Sequence, residues 1–223
     1  MNSKQHTIPI LLSSIFFVLL ILNCNQDKTL LRATSDYFPL QTGIVWYYLN
    51  GNETTKVEVV GDTSALGQFC YVINRNLADE YWLKDKTAIR KLVQLVTANS
   101  GFTDTLEQRF RQYFQLPFIS GNSWTEDFSD TITLHSGDQI SFKHRITGNI
   151  LGLEDSLITP AGKFSDVYKL MLVDTVQCND SLSTKISYYW LAPDFGIVKQ
   201  RFEAEDTIEQ VLISFKSLTA SLP

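Results

Sequence analysis

"YWLKDKTAIRK" (residues 81–91) and "YWLAPDFGIVK" (residues 189–199) share Tyr-Trp-Leu and, at the same separation, Ile-x-Lys. One match of this length is weak, so its flanks decide what it means. Upstream, "FPLQTGIVW" (38–46) and "LPFISGNSW" (116–124) share Pro-x3-Gly-x2-Trp, and "GQF" (67–69) answers "GKF" (162–164). Downstream, "DTLEQ" (104–108) answers "DTIEQ" (206–210). The four blocks keep their order at offsets of 78, 95, 108 and 102 residues. The chain therefore reads as an internal duplication, with copy one over 36–115 and copy two over 116–219. All four tryptophans, Trp46, Trp82, Trp124 and Trp190, fall in matched blocks. A large ring repeated in both halves is most simply a core requirement rather than an aromatic ligand cluster.

The segments between the blocks read as strands. "TTKVEVVGD" alternates, and "QFCYVINR", "DVYKLMLVD", "KISYYWL" and "IEQVLISFK" are rich in β-branched and aromatic residues over strand lengths. Asn50-Gly51 and Ser136-Gly137-Asp138 are hairpin turns, because their residues tolerate positive φ. The loop 192–196 has Pro193 and Gly196; its counterpart 84–88 has neither, which predicts a different turn. "DTLEQRFRQYFQ" places Leu106, Phe110 and Tyr113 on one helical face, but the repeat predicts a strand there. Strands do not alternate with helical patterns, which disfavours a parallel α/β sheet. The expected fold is mainly β and antiparallel: two related units forming a sandwich, a curved half-barrel or two small lobes.

The first residues are of another kind. After Lys4, the run from Ile8 to Leu22 carries no charge and then meets Cys24. At 15 residues it is short of the roughly 20 that span a bilayer and matches the apolar region of a secretory signal. Ile21-Leu22-Asn23-Cys24 resembles the lipobox of bacterial lipoproteins, which implies cleavage after residue 23 and acylation, as with palmitate, at Cys24. Ile21 and especially Asn23 depart from the strict box, where a small residue precedes the cysteine; an uncleaved anchor is the alternative. Residues 24–35 then form a linker. Removing residues 1–23 leaves 200 residues, with 18 basic against 24 acidic. No basic run occurs, which argues against nucleic acid and against electrostatic docking on anionic head groups. Membrane contact is assigned to the anchor.

Chemistry is sparse. Cys70 and Cys178 have neither CxxC spacing nor nearby histidines, so no metal site is expected. In an oxidising compartment they are candidates for a disulfide; two free thiols in strands are the other reading. His144 shares a strand face with Ile140, Phe142 and Ile146 and is expected as a satisfied core residue, with His135 solvated beside a turn. The acid groups Asp79/Glu80, Glu126/Asp127/Asp130 and Glu203/Glu205/Asp206 read as charged turns and edges rather than a glycosidase pair. No nucleophile elbow, zinc-protease helix or phosphate loop is present, and no cofactor is expected.

"TPAGKFSDVYKLMLVD" (159–174), "YYWLAPDFGIVKQ" (188–200) and the Pro-x3-Gly-x2-Trp block resemble bacterial envelope lipoproteins of uncharacterised role. Some of these are thought similar to lipoprotein-carrier folds, a curved antiparallel sheet around an apolar hollow. The resemblance implies location and fold class and no catalytic residue. The expected function is a lipid-anchored, non-enzymatic envelope protein whose β domain binds an apolar ligand or an envelope protein. A structural or adhesive interaction module is the alternative, with a hydrolase third.

Overall fold

The computed structural model describes residues 35–99, 101–203 and 207–217. Cys24, the signal segment, most of the linker, Glu205 and Asp206 lie outside the described residues. Twelve strands follow one another: β1 (Val45–Asn50), β2 (Glu53–Ala65), β3 (Gln68–Arg75), β4 (Ala78–Lys84), β5 (Ala88–Asn99), β6 (Phe102–Gln115), β7 (Ser123–Thr133), β8 (Gln139–Thr159), β9 (Gly162–Cys178), β10 (Ser181–Ala192), β11 (Gly196–Glu203) and β12 (Ile208–Lys216). No helix occurs among the described residues. The segment 104–115 is strand rather than helix.

Each half is a six-stranded meander, and β1 pairs with β12 to join them, giving the order β6-β5-β4-β3-β2-β1-β12-β11-β10-β9-β8-β7. Trp46 lies opposite Phe215 and Tyr48 opposite Leu212 across this junction. The β domain is therefore one continuous antiparallel sheet, neither a face-to-face sandwich nor two lobes. It curls until its outer strands approach, so that it is barrel-like and nearly closed. The β8–β9 turn meets β12, where the Ala161 amide donates to the Leu212 carbonyl at 3.1 Å.

The two meanders share local detail. Gly43 and Gly121 both have positive φ, +90° and +86°, the conformation the Pro-x3-Gly-x2-Trp block needs for its bend. The Gly43 amide donates to the Val59 carbonyl and the Gly121 amide to the Ile150 carbonyl, each at 2.8 Å. Val59 and Ile150 return a bond to Ile44 and Asn122. Immediately afterwards both second strands bulge, between Val59 and Gly61 and between Ile150 and Gly152.

The inward face carries the core. Val59, Ile73, Ile89, Ile146, Ile150, Leu170, Leu191, Val198 and Leu212 are completely or almost completely buried. Aromatic rings fill the space between them: Phe38 lies 5.1 Å from Trp82 and 5.9 Å from Phe114, which contacts Tyr189 at 5.2 Å. Beside Phe38, Trp46, Tyr48 and Trp82 a cavity of only about 30 Å³ remains, about the share of one water in the liquid. Two wider spaces, of about 520 and 770 Å³, lie beside Phe128 and His144 and beside Phe69 and Arg109.

The 84–88 turn, without Gly or Pro, is held by a side chain. Asp85 accepts from the Thr87 amide and hydroxyl, both at 2.7 Å, and from the Ala88 amide at 2.9 Å. An aspartate that bonds the backbone ahead of it replaces the conformational help of glycine.

Candidate functional site: a side-chain seam between the outer strands

The outer strands β6 and β7 have no backbone ladder between them. Side chains close the gap. Arg111 on β6 is fully buried and donates from Nη2 to the carbonyls of Glu126 on β7 (2.8 Å) and His144 on β8 (3.2 Å). Its Nη1 donates to Glu107 Oε1 at 2.6 Å and its Nε to Glu126 Oε2 at 3.2 Å. The same Glu126 oxygen accepts the Gln112 amide at 2.6 Å, so a carboxylate takes the place of a missing strand carbonyl. Further along, the Arg109 guanidinium lies 3.7 Å from the centre of the Phe128 ring. At the far end Asp104 accepts the His135 amide at 3.2 Å, and Phe102 stacks on the His135 ring.

His144 sits inside this seam, only 2% exposed. Its Nδ1 meets Glu107 Oε2 at 2.5 Å and its Nε2 meets Asp174 Oδ1 at 2.8 Å. Burial pulls the imidazole pKa down, but the bonds and charges of Asp174 and Glu107 outweigh it and hold the value at about 9. The ring is therefore an imidazolium at neutral pH, donating from both nitrogens. Burial also pushes Glu107 up, yet His144 and Arg111 win and hold it below the usual carboxylate range. A protonated histidine enclosed by two carboxylates has no lone pair with which to act as a base. The arrangement is a clasp between strands.

A second polar group lies on the inward face of the β1–β6 meander. Glu80 accepts from Lys91 Nζ at 2.8 Å and from Trp82 Nε1 at 3.0 Å, with Arg75 at 3.6 Å. Burial raises its pKa, but Lys91 and Arg75 prevail and lower it.

The four tryptophans are buried, in two different ways. Trp46 donates to the Phe195 carbonyl at 2.6 Å, whereas the Trp124 ring N–H has no protein partner. Trp124 instead lies over Gly148, where an added Cβ would fall 1.9 Å from its ring. Trp82 and Trp190 both face a lysine of the Ile-x-Lys block, Lys91 and Lys199. Both donate to a glutamate, Glu80 and Glu154. Their faces differ. The bulges align Val72 with Lys169, and these lie opposite Tyr81 and Trp190 respectively. The third and fourth strands are thus paired one residue out of step between the halves, which exchanges faces. Trp82 points into the core, 5.4 Å from Tyr113. Trp190 points away from the inward-facing Leu191 and lies between Lys169 and Lys199, each 5.0 Å from its ring.

Cys70 and Cys178 are free thiols on β3 and at the end of β9, the first buried and the second half-buried. The described acid groups are spent locally: Asp127 on Arg145, Asp79 on Asn74, and Glu203 on Arg201. Among the described residues no cluster of three or more His, Cys, Asp or Glu side chains is placed to hold a metal ion. Arg111, Glu107 and Asp174 were not legible as a site, because their partners come from different halves.

No family model and no curated protein matches the chain. Among solved structures, one similar chain is a "putative lipoprotein" from Parabacteroides distasonis. Its TM-score is 0.47 at 16% identity, over 82% of this chain and 99% of that one. Another is a "putative exported protein" with a YmcC-like fold from Bacteroides fragilis. Its TM-score is 0.47 at 13% identity, over 82% of this chain and all of that one.

Proposed function

We propose that this chain is an envelope lipoprotein, tethered by an acyl group on Cys24, whose β domain is a non-catalytic interaction module. It engages a protein partner with its outer surface and carries no ligand inside. The filled interior is the observation that carries this reading. Ligand pockets for organic molecules run to about 300–1,000 Å³, and the cavity beside Phe38 and Trp82 is about 30 Å³.

The end of the sheet away from Asp36 supports the outer-surface reading. There Leu77 is 96% exposed and stands at a positive φ of 72° in the β3–β4 turn. A branched residue in the left-handed region costs about 1–2 kcal/mol relative to glycine. The two-residue β3–β4 hairpin sets this φ, as it does at Asn76, so it is the full exposure of the leucine that points to a contact. Phe102, at the β5–β6 turn, and Leu182, at the β9–β10 turn, are exposed at the same end. Photo-crosslinking in cells of the producing organism, from probes replacing Leu77 and Leu182, is expected to give one discrete adduct. A probe replacing Ser165, exposed near the other end of the sheet at the start of β9, is expected to give none. No adduct from either leucine position would contradict the proposal.

A further inference from the structure

The wider of the two spaces beside the sheet, about 770 Å³, lies across the strands rather than along one. Phe69 lines it from β3, Leu83 from β4, Arg90 from β5, Arg109 and Phe110 from β6, and Glu126 from β7. β3, β4, β5 and β6 are consecutive neighbours in the sheet, and β7 follows across the seam. From β3 to β6 the site runs over three strand spacings, about 14 Å. An extended segment covers that length with about four or five residues. Leu66, in the β2–β3 turn, enlarges the Phe69 end. These two side chains are 52% and 59% exposed.

The charged side chains that line the space are Lys84, Asp85, Arg90, Arg109 and Glu126. All but one are engaged. Lys84 pairs with Asp36 and donates to the Phe38 carbonyl at 3.0 Å. Arg90 pairs with Asp85, which also accepts the Ala88 amide of its own turn. Glu126 is taken by Arg111 and by the Gln112 amide. Arg109 is left over. Its guanidinium rests on Phe128, and its nearest carboxylate oxygen, Glu107 Oε1, is 3.6 Å from Nε. Arg111 Nη1 already bonds that oxygen at 2.6 Å. Among the described residues Arg109 donates no hydrogen bond, and its side chain is 48% exposed. A guanidinium seated on a ring presents its N–H edge as a fixed fork, the shape that a carboxylate fits. The lining therefore holds one more cation than anions, in a chain whose net charge is −5.

An apolar surface at one end and a guanidinium without an acceptor at the other, about 14 Å apart, call for one ligand that carries both complements and is long enough to join them. We propose that this space is the docking site for an extended segment of a protein partner. The segment sets an aspartate or glutamate on Arg109 and lays apolar side chains against Leu83, Phe69 and Leu66. The proposal rests on the reading of the β domain as an interaction module and adds a second surface to it. Phe69 stands at the start of β3 and Leu77 in the turn beyond its other end.

The test uses the full chain in mild detergent and a phage library that displays random seven-residue peptides. Enriched peptides are synthesised with a fluorescein label, and their binding is read by anisotropy. They are expected to share an acidic residue among apolar ones. They are expected to bind Arg109→Gln and Phe69→Ser at least about tenfold more weakly than the natural chain, and Leu77→Ser equally well. Changing the peptide's acid to its amide is expected to lose the same factor, with no further loss on Arg109→Gln. Phe69 lies outside the β6–β7 seam, so its variant reads the site even where Arg109→Gln loosens the seam. Enriched peptides without an acidic residue, or binding that ignores either substitution, overturn the proposal. Displacement by free glutamate as readily as by unlabelled peptide overturns the extended occupant. Loss on Leu77→Ser alone overturns this site and leaves the interaction module standing. An absence of enriched peptides also overturns this site; where Leu77 and Leu182 give no adduct either, the interaction module falls with it.

Discussion

His144 is a charged core residue whose stability contribution depends on pH. Its pKa in the fold, about 9, lies above the ordinary histidine value. A raised value means that the stabilisation is complete below about pH 6.5, where both states are protonated, and is lost as pH rises through 9. The span corresponds to a contribution on the order of 3 kcal/mol. Urea unfolding at pH 6.5, 8 and 9.5 is expected to show a falling midpoint for the natural chain. A His144→Gln variant, less stable throughout, is expected to show a clearly flatter profile. Parallel profiles would mean that the imidazolium is not the cause. Gly148 is a second residue-scale case. Gly148→Ala drives a methyl into the Trp124 ring and is expected to cost about 1–3 kcal/mol, read as a lowered Tm. Leu77→Gly is expected to do the opposite, raising stability by about 1 kcal/mol through relief of the positive φ while weakening the proposed partner contact. At this scale the sequence was half legible. The hydrophobic neighbours of His144 announced a buried histidine. Its carboxylates did not announce themselves, because Glu107 and Asp174 lie 37 and 30 residues away along the chain. The role of Asp85 was present as Asp-x-Thr, a turn-forming pattern with a known mechanism.

The strands were legible from β-branched and aromatic runs and from Asn-Gly and Ser-Gly turns, and 104–115 is the strand that its match to the "DTIEQ" block suggested rather than the helix its own pattern offered. Register was not legible. An identical Tyr-Trp-Leu block ends up with its tryptophan inward on β4 and outward on β10, because one residue of slip changes the face and leaves no mark on composition. The closure of the sheet was equally hidden. The β1–β12 junction is a backbone ladder, whereas the β6–β7 gap is bridged by Arg111, Glu126 and Arg109. Strand edges held by side chains open more readily than laddered ones. Native-state hydrogen exchange is therefore expected to show the central amides of β6 and β7 exchanging at least about tenfold faster than those of β1 and β12. Equal protection would place an unrecognised ladder in the seam.

For the molecule as a whole, the question is what a curled sheet with a filled interior is for. Sequence resemblance pointed to a curved sheet around an apolar hollow; in the structure Phe38, Trp46, Trp82, Phe114 and Tyr189 pack together on the inward face. Ring sizes alone do not reveal this, since rings line hollows and fill them equally well. Whether they converge depends on closure, which the repeat did not encode. The proposed tether at Cys24 and the exposed turns bearing Leu77 and Leu182 suit a protein that offers its outer surface to a partner. The most direct measurement is native mass spectrometry of the chain extracted from membranes in mild detergent. The account expects a species matching residues 24–223 with a covalent acyl modification and no stoichiometric non-covalent lipid. A retained apolar ligand, released only on unfolding, would contradict the claim that the β domain is closed and filled.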